Sequence, residues 1–140
     1  MSNEFARNIQ DASLNPASFT LPAAASTSTV STAVDLGSDD YKPESIELEL
    51  EVPALSATMA PAAATAGVTY IIESSTTSSF EAVARTLVSK TIAGSASGVV
   101  ASKVRARVPA DCERYIRGKV SFGATTTDAS TLAASLKLLS

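Results

Sequence analysis

The segment "ESIELELEVP", residues 44–53, restricts the fold more than any other part of the chain. Ile46, Leu48, Leu50 and Val52 fall on one parity, and Glu47, Glu49 and Glu51 on the other. A strand sends successive side chains to opposite faces, so this period of two predicts a half-buried strand with a carboxylate-lined solvent face. A helix would mix the two sets around its axis. Pro43 and Pro53 bracket the segment, where a missing N–H is tolerated at strand ends.

The same reading finds neighbours on both sides. "ASFTLP" forms a short strand with Phe19 and Leu21 inward, and "STVSTAVDLG" alternates Val30, Thr32, Val34 and Leu36 before the turn-rich "GSDDYKPE". "GVTYIIES" sets Val68, Tyr70 and Ile72 against Thr69, Ile71 and Glu73, after a loop at "APAAATAG". "FEAVARTLVSKTIAG" fits either a helix or a strand by spacing, and its β-branched content favours the strand. After the loop "GSASG", Val100, Val104, Ala106 and Val108 share a face opposite Lys103, Arg105 and Arg107. A turn at Pro109–Cys112 leads into "RYIRGKVSF". Here Ile116, Val120 and Phe122 oppose Tyr115, Arg117, Lys119 and Ser121, which makes a hairpin-like corner. In "STLAASLKLL", Leu132, Leu136 and Leu138 suit a strand, while Leu132, Leu136 and Leu139 suit a helix.

These segments make about eight short strands at roughly the 8–12-residue spacing of an all-β sandwich or barrel. Residues 1–16 lack the pattern and are expected to form an N-terminal arm, with one helical turn around Glu4–Gln10; residues 17–140 are expected to form a single β domain.

Composition narrows the chemistry. The chain has no histidine, so Ser-His and Cys-His nucleophilic systems and most zinc and non-haem iron sites lose their usual base or ligand. No catalytic, cofactor-binding or metal-binding residues are expected. A single cysteine, Cys112, permits no internal disulfide. The net charge of −3 gives no global pull toward DNA or anionic membrane. The first ten residues, MSNEFARNIQ, lack the apolar core of a secretory signal, and no apolar run is long enough to span a bilayer. The chain reads as soluble and made in a reducing cytoplasm.

Three residue groups have both a chemical and a plain reading. Cys112 could act as a thiol activated by Arg114, or fill space in a turn. Glu47, Glu49 and Glu51 could bind a divalent cation, yet residues two apart on a strand stand in a row and do not converge on a point. Lys103, Arg105, Arg107, Arg117 and Lys119 could grip phosphates, but Tyr115 is the only aromatic among them, where single-strand binders use stacking platforms. "GSASG" lacks the Lys-Ser/Thr of a phosphate-binding loop. The Ser/Thr tracts "STSTVST" and "ESSTTSS" fit ordinary strand edges and loops.

The order "TVSTAVDLG", "YIIESSTTSSFEAVA", "RVPADCERYIRGKVSFG", "STLAASLKLL" resembles the jelly-roll cement or decoration proteins of podovirus-type tailed bacteriophages. The resemblance runs from about Val30 onward. Its most specific part is Pro109, Arg114, Tyr115, Ile116 and Arg117, and the chain departs from the commoner pattern in placing Asp111-Cys112-Glu113 before the Arg-Tyr pair. It implies an eight-stranded jelly roll and a non-enzymatic virion component on the outer capsid surface. Such a protein binds the major capsid protein, dimerises, and touches neither nucleic acid nor membrane. In the usual jelly-roll order the third strand lies beside the sixth. That would face Glu47, Glu49 and Glu51 with Lys103, Arg105 and Arg107 in an antiparallel ladder, and these residues with Arg117 and Lys119 are the expected capsid or dimer contacts. The alternative reading is a carbohydrate-binding jelly roll from a host-adhesion structure. The absence of Trp and the presence of only three Tyr weigh against it.

Overall fold

A computed structural model describes residues 17–36, 47–60, 67–82, 85–109, 112–123 and 127–139. The expected arm, the "GSDDYKPE" turn, most of the "APAAATAG" loop and Val83 lie outside them. So do Ile46, which would have opened the Glu47 strand, and the side chains of Leu138 and Leu139.

Nine strands are described: β1 (Ala17–Thr20), β2 (Ser28–Val30), β3 (Val34–Asp35), β4 (Glu47–Val52), β5 (Val68–Ser75), β6 (Arg85–Ile92), β7 (Ser102–Arg107), β8 (Tyr115–Phe122) and β9 (Ala133–Leu139). They form two antiparallel sheets, ordered β1-β9-β4-β7 and β2-β8-β5-β6, with β3 also paired to β8. Counting β2 and β3 as one broken strand, the first sheet holds the first, eighth, third and sixth strands, and the second holds the second, seventh, fourth and fifth. This is the strand order of a jelly roll.

The core lies between the sheets, where the inward parity of each strand converges. Leu48, Leu50 and Val52 from β4 and Leu136 from β9 meet Val68, Tyr70 and Ile72 from β5 and Ile116, Val120 and Phe122 from β8, all at most 4% exposed. Burying each such side chain contributes roughly 1.5–3 kcal/mol. Leu21 and Leu55 close the ends. Gly118, also on the inner face of β8, leaves room for Leu50, whose Cδ1 would stand 3.0 Å from a Cβ placed there.

The structure settles the C-terminal segment as a strand. β9 pairs with β1 on one side and β4 on the other, with Leu136 opposite Ala17 and Leu50. A helix could not supply both ladders.

Four expectations are corrected. "STVSTAVDLG" is not one continuous strand: β2 and β3 pair with β8 separately, Ser31 between them is buried, and Val30 is 40% exposed on the outer parity. The Ser31 hydroxyl accepts the Gly118 N–H at 2.9 Å, so a polar bond takes the inward position that the apolar alternation had reserved for Val30 and Thr32. Val100 precedes β7 and is 80% exposed, because the strand begins only at Ser102. The strand expected from Phe80 begins at Arg85, and Phe80 sits in the preceding loop at φ +52°. Lastly, "RVPADCERYIRGKVSF" is no hairpin. β7 and β8 belong to different sheets, and the segment crosses from one to the other.

Candidate functional site

The charged residues singled out in the sequence fall on two outer faces. On the four-stranded sheet, β4 lies between β9 and β7, and its register with β7 is Glu47↔Arg107, Glu49↔Arg105 and Glu51↔Lys103. The expected ladder is therefore present in register, and its ion pairs form at Glu49 and Glu51. Arg105 donates from Nε to Glu49 Oε2 at 2.8 Å, and its Nη2 stands 2.7 Å from the same oxygen. Lys103 Nζ is 3.4 Å from Glu51 Oε1, and Lys137 on β9 reaches Glu51 Oε2 at 3.1 Å. The two ammonium groups, Lys137 foremost, hold the Glu51 carboxyl below its ordinary range.

Glu49 lies on the outer face, yet it is only 3% exposed. It stands in the middle of the middle acidic strand, and the long stems of its cationic neighbours cover it. The solvated carboxylate face expected from the alternation is therefore closed at its centre. Glu47 and Arg107 stand opposite in register, but neither has an ion-pair partner among the described residues.

The five-stranded sheet treats its cations differently. Arg117 on β8 stands opposite Glu73 on β5 and donates from Nε to Glu73 Oε1 at 2.6 Å. Phe80 packs over the guanidinium at 4.3 Å. Opposite the step from Ile72 to Glu73, β6 carries one extra residue, Leu87, and Glu73, Ser74 and Ser75 are all buried. Such a bulge re-aims side chains, and alternation alone cannot place it. Ser74 donates to Glu113 Oε1 at 2.6 Å, and Arg85 reaches Glu113 Oε2 at 3.5 Å. Sequence reasoning missed this cluster, because its members come from three distant segments.

The segment that carried the resemblance is an internal fastening. Arg114 grips both Asp35 oxygens, Nε to Oδ1 at 2.8 Å and Nη2 to Oδ2 at 2.9 Å, which ties β3 to the start of β8. Its guanidinium lies 5.2 Å from the centre of the Tyr115 ring. Ile116 enters the core and Arg117 binds Glu73. Cys112 is 2% exposed and belongs to the core cluster, so its sulfur is shielded from solvent reagents.

Lys119, alone among the cations on the inner strands of either sheet, has no ion-pair partner among the described residues. No group of three or more metal-ligating side chains converges among the described residues. A shallow depression on the four-stranded sheet is lined by Glu51, Pro53, Ala101, Lys103, Ala133 and Ser135. No helix among the described residues is long and apolar enough to cross a membrane.

No family model matches the chain, and no curated protein matches it. Among solved structures it is similar to the K1 cleaved adhesin domain of Lys-gingipain from Porphyromonas gingivalis W83, at 17% identity and a TM-score of 0.46, covering 79% of this chain and 60% of that one. It is also similar to the K3 cleaved adhesin domain of the same protein, at 18% identity and a TM-score of 0.40, covering 79% and 57%. The chain thus spans about three-fifths of those domains.

Proposed function

We propose that this chain is a non-catalytic adhesive module, a stiff jelly roll that binds another macromolecule through its outer faces and loops. One observation carries the reading: the acids at the centre of both outer faces, which could have built a reactive or metal site, are spent in ion pairs. Glu49 with Arg105, Glu51 with Lys103 and Lys137, and Glu73 with Arg117 lock strand to strand. What the molecule offers a partner is shape and a patterned surface.

The resemblance of the quoted segments to phage cement proteins supports a specific form of this function. The module would bind the outside of a capsid, bridging its major subunits, and would act as a homodimer. Many weak copies on a symmetric shell raise one another's effective concentration and stiffen it.

Attachment to a host glycan is the second form. Thr76, Thr77, Ser78 and Ser79 are all exposed on the β5–β6 connection, which is longer than the roughly 2–5 residues a hairpin needs. Such a row of hydroxyls can exchange hydrogen bonds with a sugar. Among the described residues stacking has less to work with: Phe19, Tyr70, Phe80, Tyr115 and Phe122 are all buried or half-buried.

Co-sedimentation with capsids purified without this protein, run beside a glycan array, tests both forms. Saturable capsid binding with no glycan signal supports cementing, and the converse supports attachment. Binding to neither overturns the adhesive reading.

A further inference from the structure

Lys119 occupies an unusual position. It lies on β8, which is covered on one edge by β2 and on the other by β5, so it stands in the middle of a sheet. Lysine commonly guards the open edge of a sheet against unwanted pairing. Lys90, exposed on the edge strand β6, fits that role, and Lys119 does not.

Its row across the sheet is Val30, Lys119, Ile71 and Ser89. Two residues away runs a row of hydroxyls, Ser28, Ser121, Thr69 and Thr91, in which Thr69 and Thr91 bond each other at 2.9 Å. On the other side Arg117 is already engaged by Glu73. The result is one positive charge with no compensating acid among the described residues, half-buried between two aliphatic side chains, one of them 40% exposed.

We infer that the outer face of the five-stranded sheet, centred on Lys119 with Val30 and Ile71, is a docking surface for a protein partner that presents a carboxylate among aliphatic side chains. The inference rests on the adhesive reading and names its contact face. Charge complementarity selects the partner. A phosphate backbone brings repeated charges and calls for several open cations, whereas this face has one among the described residues. An acidic sugar would look for an aromatic platform, and this row has none. A single carboxylate flanked by apolar groups satisfies Lys119 and covers Val30 and Ile71 together, and a desolvated pair of that kind dominates an interface.

The test uses the full chain and two charge reversals, Lys119→Glu and, on the edge strand β6, Lys90→Glu, each checked by circular dichroism for the wild-type fold. Both are measured for binding to capsids purified without the protein and to a random heptapeptide library. The expected result is that Lys119→Glu weakens capsid binding about tenfold or more while Lys90→Glu stays within about twofold. Capsid binding that ignores Lys119→Glu overturns the docking face and leaves the adhesive function standing. If the wild type binds no capsid, the cement form fails and the library decides. Enrichment of peptides with Asp or Glu beside aliphatic residues, lost in Lys119→Glu, supports the face; any other outcome overturns it. Self-association in sedimentation velocity that Lys119→Glu abolishes would assign the face to a second copy and overturn the proposed partner.

Discussion

Arg105 places two guanidinium nitrogens within 2.8 Å of one oxygen of Glu49, a carboxylate that is 3% exposed although it points away from the core. Glu49 is the best-covered acid of the outer ladder, and the arginine is its compensation.

Removing the partner should therefore cost more than an ordinary surface ion pair. Arg105→Ala is expected to destabilise the fold by about 1–2 kcal/mol. This is below the roughly 3–5 kcal/mol for breaking a fully buried pair, because the Arg105 side chain is 58% exposed. Urea unfolding of Arg105→Ala, Glu49→Gln and the double variant measures it. A coupling energy near zero would show that the pair does not act as a unit.

Glu51 makes the ladder sensitive to acid. Lys137 and then Lys103 hold its folded-state value below the ordinary 4.5. A depressed carboxylate contributes stability that is complete above its unfolded value and is lost as pH falls through its folded value. The stability difference between wild type and Glu51→Gln should be constant at neutral pH and shrink below about pH 4.5. Raising the salt to 1 M should shrink it as well. Urea midpoints across pH 3–7 check both trends.

Two glycines should respond very differently to alanine. At Gly118 the new Cβ meets the tip of Leu50 at 3.0 Å, a side chain that can shift, so Gly118→Ala should cost about 1–2 kcal/mol. Gly98 has φ +80°, and a Cβ there would stand 2.1 Å from the backbone oxygen of Leu55. Gly98→Ala should cost distinctly more, about 3 kcal/mol or above, by thermal unfolding.

Tyr70 is fully buried, and burial pushes its phenol up, with the nearby Ser102 hydroxyl offsetting part of the rise. Neither hydroxyl makes a hydrogen bond of good geometry. Tyr70→Phe should then be close to neutral, within about 1 kcal/mol, or slightly stabilising. A loss of 2 kcal/mol or more in urea unfolding would show that the pair is bonded in solution.

Cys112 should be inert in the folded protein. Its labelling by a thiol reagent is expected to follow the unfolding rate, slowing under stabilising conditions and becoming fast in denaturant. Rapid labelling of the native state would place the thiol at the surface.

Much of the fold was legible because strand periodicity is local. Leu48, Leu50 and Val52, then Val68, Tyr70 and Ile72, then Ile116, Val120 and Phe122 announce their inner face by spacing alone. The Glu47–Arg107, Glu49–Arg105 and Glu51–Lys103 register followed once a jelly-roll order was supplied, since complementary charge spaced by two fits only one antiparallel alignment well. Where local pattern met a competing bond, it misled. Ser31 took the inward place through Gly118, and Glu73, on the outer parity, is buried against expectation where Arg117 binds it.

The sequence by itself determined an all-β chain, the inner face of most strands, and a chain without histidine chemistry. Only the tertiary structure decided which charges cancel. Arg117 and Lys119 are equivalent in the alternation of β8, two residues apart on one face. The unbroken β5–β8 register sets Glu73 opposite Arg117, while Lys119 faces Ile71 and Val30. The difference lies in what the neighbouring strands carry at each register position, and that is set by long-range pairing between segments remote in the chain.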